Sequence, residues 1–297
     1  MKGIALKETR KIVIKGIRRI SRVMLNLFVR VMPYKNGLNS KMRDEKIIIS
    51  MTSYPARFAY IVLPIKSLLL QSIKPDKIIV WLGSDSSEDD LSEEMKKLRE
   101  YGVEYRFDPE RNLKPHKKYF YALQEYCNDL VITVDDDIIY PPTLVSSLLK
   151  MHRKYPTAIC ARRVHKVKVD QTGAIDSYTT WEWECDKKCA PSYLLFGTNG
   201  AGTLFPPHVF KRYAFDEERI KMLCLNADDV WIWFMSLMNQ RKIVWAPCYL
   251  IHPPVVEETR AMNSLAMENI ENRGNDKYIK EMLAYYPISE TIMSELN

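Results

Sequence analysis

The sequence predicts an α/β fold with a mainly parallel central sheet, and three observations carry this. Apolar, β-branched runs recur at Lys46–Met51, Lys77–Leu82, Val103–Phe107 and Leu130–Val134. Helix-patterned stretches separate them, so strand and helix alternate, which calls for parallel strands joined by right-handed crossovers. The chain has 297 residues, 46% of them apolar, with six Trp and seventeen Tyr. That suffices for one large α/β domain with appendages or two small domains, and it excludes general disorder.

The first element is a helix over residues 4–32. At about 100° per residue, Val13, Ile17, Ile20, Met24, Leu27, Phe28 and Val31 share one face, with Lys11, Lys15, Arg18 and Arg22 opposite. Residues 1–33 hold nine basic side chains and one acid, hence +8 against a whole-chain net charge of +7. The remainder is near neutral, so the body shows no nucleic-acid footprint. Charges interrupt every stretch long enough to span a bilayer or to form a signal-peptide core. A basic face opposite an apolar one suits a helix lying in the membrane interface, and a peripheral location on the cytoplasmic face of the cell membrane is expected. Met32-Pro33 ends the helix. Residues 34–45, with Asn36-Gly37 and Asn39-Ser40, read as a linker.

The body is assigned to residues 46–258. Its first strand runs into a polar turn, Thr52-Ser53-Tyr54-Pro55-Ala56-Arg57, and a helix is expected from Phe58 to Gln71. The second strand ends at Gly83-Ser84-Asp85. A charged helix, Ser92–Tyr101, leads to the third strand, and a helix over Lys114–Tyr126 leads to the fourth. Ligands in such sheets bind at the carboxyl ends of strands, so Ser50–Arg57, Asp85 and Asp135–Asp137 should converge. Ala158–Val169 reads as one strand. Trp181-Glu182-Trp183 is aromatic and acidic, and Gly197–Gly202 is a glycine-rich turn leading into Thr203-Leu204-Phe205. Asn226-Ala227-Asp228-Asp229 opens an apolar helix to Met238, with acids suited to its first turn. Arg241–Ala246 is the last strand. Residues 259–297 form a C-terminal tail, helical over Met262–Leu283.

The chemistry centres on Asp135-Asp136-Asp137, directly after the fourth strand. Three adjacent carboxylates repel one another, and a hard divalent cation relieves that repulsion. Alternate residues of an extended chain share a face, so Asp135 and Asp137 should point together and Asp136 elsewhere. There is no GxxxxGK[ST], and no GxGxxG follows the first strand, so neither a P-loop nor a dinucleotide site is supported. The six cysteines are scattered, and reduced thiols are expected. Cys185 and Cys189 lack a second metal-binding pair nearby, which argues against a zinc site.

Four blocks carry a resemblance: SMTSYPAR after the first strand, KPHKKYFYAL, VDDDIIYPP and NADDVWIW. Together, from about Lys46 to Pro254, the body resembles glycosyltransferases of the GT-A fold, specifically the bacterial capsule and lipopolysaccharide type, with VDDDIIYPP as the Asp-x-Asp motif. The resemblance implies a nucleotide-sugar donor, with a UDP-sugar expected first, a Mn²⁺ or Mg²⁺ ion, and a glycan or lipid-linked acceptor. It places Thr52, Tyr54, Arg57 and Asp85 near the nucleoside and Lys117 or Lys118 at the diphosphate. Asp135 and Asp136 fall on the donor side, and Asp135, Asp137 and His252 at the metal. Asn199 and Gly200 would approach the sugar, glycine having no Cβ to obstruct it. Asp228 and Asp229 stand where inverting members place their catalytic acid, with Asp228 slightly favoured. No QxxRW block is present, which argues against processive synthesis. The alternatives are a retaining transferase of the same fold and a sugar-phosphate nucleotidyltransferase. The latter usually carries a glycine-rich loop where SMTSYPAR has no glycine.

Overall fold

The computed structural model describes residues 2–185, 190–250, 252–261, 269 and 273–296. Helix α1 (Lys2–Val31) precedes strand β1 (Ile47–Thr52), helix α2 (Val62–Leu69) and strand β2 (Lys77–Leu82). Then come α3 (Glu93–Leu98), β3 (Val103–Phe107), the short helices α4 (Lys117–Phe120) and α5 (Ala122–Glu125), and β4 (Leu130–Val134). The second half holds α6 (Leu144–Lys154), β5 (Ile159–Ala161), β6 (Val164–Lys166), β7 (Leu195–Gly197) and β8 (Thr203–Phe205). It closes with α7 (Glu217–Leu223), α8 (Asp228–Met238), β9 (Ile243–Trp245), α9 (Gly274–Tyr285) and α10 (Ser289–Leu296).

Seven strands form one sheet in the order β3-β2-β1-β4-β8-β5-β9. All neighbours are parallel except β8, which runs antiparallel to both β4 and β5. Side chains alternate across the sheet as a period of two requires. Ile48, Ile79 and Val131 enter the core on one face; Ile49, Val80 and Ile132 enter the core on the other. Helices cover both faces, so every central strand is buried. The mainly parallel sheet flanked by helices is the expected fold class.

Register explains where the site lies. Met51 stands beside Val134 and Thr52 beside Trp81, so β1, β2 and β4 end level and release their loops together. The reversed β8 begins opposite Thr133, which brings the preceding Asn199–Gly202 turn to the same edge. A run of parallel strands alone would have carried that turn to the far end.

Several boundaries differ from those expected. Ala158–Val169 is two strands, not one. After three residues in the main sheet the chain turns at Arg162-Arg163, and β6 pairs with β7 in a separate antiparallel ribbon. The helix expected from Phe58 starts at Val62, because Pro55–Arg57 forms a 3-10 turn first. Most of Met262–Gly274, the first part of the expected tail helix, lies outside the described residues, as do Cys189 and Ile251; α9 begins at Gly274. The C-terminal helices join the core, with Ile279, Met282, Tyr286, Ile288 and Ile292 buried against the face that holds α8.

Helix α1 touches the body through its second half. Leu25 and Val29 bury against Ile139, Leu250 and Val256. The Arg22 Nε donates to the carbonyl of His252 at 2.7 Å. The apolar row Val13, Ile17, Ile20, Met24, Leu27, Phe28 and Val31 is exposed, turned away from the domain. Among the described residues no helix is long and apolar enough to cross a membrane.

Candidate active site

A cavity of about 580 Å³ opens at the carboxyl ends of β1, β2 and β4. It is lined by Thr52, Ser53, Tyr54, Arg57 and Asp85 on one side and by Asp228 and Asp229 on the other, with Asp135–Asp137 and Lys117-Lys118 between. The sequence thus scattered these groups over some 180 positions, and strand register gathers them.

The aspartate triplet is held from beneath. Ser53 Oγ donates to Asp136 Oδ2 at 2.5 Å, and Arg57 Nη1 donates to Asp136 Oδ1 at 2.6 Å and Asp137 Oδ2 at 3.2 Å. Asp136 is buried and works as the buttress of the loop. The Tyr140 hydroxyl accepts from the Asp135 N–H at 2.8 Å and donates to the Gly200 carbonyl, locking the two loops together. A Cβ added at Gly200 would lie 1.7 Å from Asp135 Oδ2, so only glycine fits this contact.

Lys118 ties the two acidic groups together. It leaves α4, whose backbone is anchored to β1 by the Ser50 hydroxyl donating to the Lys118 carbonyl. Its ammonium lies 2.7 Å from Asp135 Oδ1 and 3.1 Å from Asp228 Oδ2. Burial would lower its pKa, but Asp135, Asp228 and Asp229 raise it and keep it charged. Lys117 is buried too, donating to Asn112 Oδ1 at 3.1 Å, and burial lowers its pKa.

The carboxylates divide by charge state. Burial would raise Asp135, yet Lys118 holds it below the usual range. Asp137 is pushed up to about 7, by burial first and then by Asp135 and Asp136. Asp229 is also raised to about 7, by burial and the neighbouring Asp228. Its Oδ1 accepts the Asn199 N–H at 2.8 Å. Of the two acids opening α8, Asp228 is therefore spent on Lys118, while Asp229 is the one poised to exchange a proton near neutrality.

Two expected site residues stand elsewhere. Asn199 is fully buried and supports Asp228 and Asp229 from behind: its amide reaches Asp228 Oδ2 at 3.4 Å, and its side chain does not line the cavity. His252, expected at the metal, pairs through Nε2 with Glu184 Oε2 at 2.6 Å, and it is not among the described lining residues. Conversely, the cavity includes Ser53, Asn112, Arg163, Trp183, Glu184 and Asn275, none of which the sequence singled out as site residues. Ser53 stands between the expected Thr52 and Tyr54, whereas Asn112 joins the site through its contact with Lys117. Arg163 depends on the break between β5 and β6, which composition does not reveal.

The donor set fits a divalent ion. Hard carboxylate oxygens crowd one buried loop, and the raised Asp137 marks charge that a cation would relieve. Among the described residues no three His, Cys, Asp or Glu side chains form a metal cage. The loop would thus contribute one or two ligands, as nucleotide-bound ions need.

Comparison with known proteins bears on the fold and the family. No curated protein sequence matches the chain significantly. Among solved structures the fold is similar to the mannosyltransferase PcManGT from Pyrobaculum calidifontis, in complex with GDP-Man and Mn²⁺. Its TM-score is 0.51 at 12% identity, covering 95% of this chain and 79% of that one. A CMP:2-keto-3-deoxy-manno-octonic acid synthetase complexed with CTP is more distant, with a TM-score of 0.41 at 9% identity over 71% of this chain and 91% of that one. The profile of Glycosyl transferase family 2 matches residues 48–217, more than half of the sequence. The chain belongs to glycosyl transferase family 2 and is a glycosyltransferase of the GT-A fold acting on a nucleotide-sugar.

Proposed function

We propose that the protein transfers one sugar from a nucleotide-diphosphate sugar, a UDP-sugar first among candidates, to a glycan or lipid-linked acceptor in bacterial surface polysaccharide synthesis, with inversion. One observation carries the reading: two acidic pairs, Asp135/Asp137 and Asp228/Asp229, line a single cavity and are bridged by buried Lys118. An inverting transfer needs two such groups, one to handle leaving-group charge and one to serve as a base.

Each residue then has a task. Thr52, Tyr54, Arg57 and Asp85 receive the nucleoside, on the side of the cavity reached by β1 and β2. Asp137, with Asp135, would hold Mn²⁺ or Mg²⁺. Such an ion, when bound, supplies Lewis-acid neutralisation of the departing diphosphate. Lys117 contributes a further positive charge there. Gly200 lets the backbone approach the sugar. Asp229 takes the proton of the acceptor hydroxyl, and Asp228 and Asn199 hold it in place. The amphipathic α1 lies on the membrane surface, its exposed apolar row in the interface and its cations toward anionic headgroups.

Hydrolysis and transfer assayed across UDP-, GDP- and CMP-sugars, with and without Mn²⁺, tests this reading. One donor should turn over in a metal-dependent way, and the product anomer should be inverted. Metal-independent turnover, or a retained anomer, contradicts it.

A further inference from the structure

Of the six tryptophans, five are at most 8% exposed, while Trp183 is 38% exposed and lines the cavity. It is also rigidly mounted. Glu182 bridges to Lys166 of β6, the two exchanging both backbone hydrogen bonds, and after a turn at residues 183–184 the Cys185 N–H donates to the Val164 carbonyl. The indole N–H donates to the Tyr178 carbonyl at 3.3 Å. One face of the ring is covered by buried His165, centroids 4.8 Å apart at 30°, and Tyr178 packs edge-on at 5.2 Å. A fixed, half-covered aromatic plane facing a cavity presents flat apolar area at little entropic cost.

Its neighbours are polar and convergent. Glu184 has a left-handed backbone, φ 54°, which non-glycine residues rarely adopt without a reason. Its N–H donates to His165 Nδ1 at 3.0 Å, and its carboxylate is fixed by His252. The His252 carbonyl in turn accepts from Arg22 of α1, so this wall and the amphipathic helix are joined. Tyr178, Asn275 and Asp229 line the same cavity. The wall therefore adjoins the candidate base.

We propose that Trp183 and Glu184 form the acceptor subsite and that its occupant is an uncharged pyranose. The inference rests on the transferase reading above. The apolar C–H face of the sugar stacks on the indole, and its hydroxyls donate to the Glu184 carboxylate and meet the Asn275 amide. This orients one hydroxyl toward Asp229. A bare phosphate head would meet like charge from Glu184, offset only in part by Arg163 of the same cavity, so a polyprenyl phosphate without a sugar is the disfavoured acceptor. Where the acceptor is lipid-linked, a sugar already attached to the lipid receives the new residue.

Octyl glucoside, octyl galactoside, octyl mannoside and octyl N-acetylglucosaminide, together with a polyprenyl phosphate, are assayed with the donor that the wild type turns over. At least one glycoside should be glycosylated. Trp183→Ala should raise its KM by roughly tenfold or more while the donor dissociation constant stays within about twofold. Trp183→Phe should restore most of the loss, and Trp183→Leu, which keeps apolar bulk but no plane, should not. An unchanged acceptor KM in Trp183→Ala, equal rescue by Leu and Phe, or transfer to polyprenyl phosphate alone overturns the subsite. A wild type that turns over no nucleotide-sugar overturns the transferase reading itself, and the subsite with it.

Discussion

Burial and neighbouring carboxylates raise both Asp137 and Asp229, and their environments make separate predictions. Both have folded pKa values of about 7, raised above the unfolded value. A raised acid keeps its proton in the fold after the unfolded chain has lost it, so stability contributed below about pH 4 declines as pH rises through 7. Asp137→Asn removes that burden and should raise the metal-free melting temperature at pH 8 by roughly 2 °C or more, while abolishing metal-dependent donor binding. Thermal melts at pH 5 and pH 8 check this, and a lower melting temperature at pH 8 contradicts it. Asp229 must be ionised to act as a base, so transfer should rise with pH up to about 7 and then level. Asp229→Asn should lose transfer by roughly a hundredfold or more and retain donor affinity. Asp228→Asn should instead lower stability, because it removes one of the two carboxylates, Asp135 and Asp228, that pair with buried Lys118. Single-turnover rates and melts of both variants separate the roles. The aspartates were legible in the sequence because each block directly follows a strand or opens a helix. Their division of labour was not, because it depends on which carboxylate Lys118 reaches. Trp183 was visible as part of an aromatic, acidic stretch, but nothing local distinguishes it from buried Trp181, two residues earlier.

At the level of elements, the reversed β8 decides the shape of the donor side. Parallel strands were readable from their apolar runs and intervening helices. The antiparallel insertion was not, because a three-residue strand reads alike in either direction. Its consequence is the contact between Gly200 and Asp135. Gly200→Ala would place a methyl 1.7 Å from the Asp135 carboxylate, forcing one loop to move. Donor affinity should fall by roughly tenfold or more, equivalent to about 1.4 kcal/mol, with little change in α/β content by circular dichroism. Titration of the donor into this variant checks it, and wild-type affinity would contradict the cradle. The break between β5 and β6 had the same origin. Arg162-Arg163 offers no glycine or proline as a breaker, and pairing with β7 imposes the turn.

For the whole molecule, α1 is proposed to join the catalytic body to a membrane surface. Its periodicity was clear in the sequence, and the exposed apolar row matches it. What the sequence left open was the docking of the second half through Leu25 and Val29. Substitution of the outward face therefore tests membrane attachment more cleanly than deletion of the helix, which would uncover a buried patch. Ile17→Asp, Ile20→Asp and Leu27→Asp together should reduce binding to vesicles containing anionic lipid by roughly tenfold or more, since each buried apolar side chain contributes about 1.5 kcal/mol or more. The melting temperature should change little. Wild-type binding should weaken as salt rises, through screening. Vesicle co-sedimentation at two salt concentrations reads both effects, and binding indifferent to the substitutions contradicts an interfacial α1.

The central claim is that Asp135–Asp137 and the loops around them form a metal-dependent nucleotide-sugar site in which Asp229 serves the acceptor and not the donor. Calorimetric titration of UDP, GDP and CDP into the wild type, Asp137→Asn and Asp229→Asn, with and without Mn²⁺, tests it most directly. One nucleotide should bind the wild type tightly only with Mn²⁺, lose that enhancement in Asp137→Asn and keep it in Asp229→Asn. Equal Mn²⁺-dependent affinity in the wild type and Asp137→Asn, or no binding of any of the nucleotides, would contradict it.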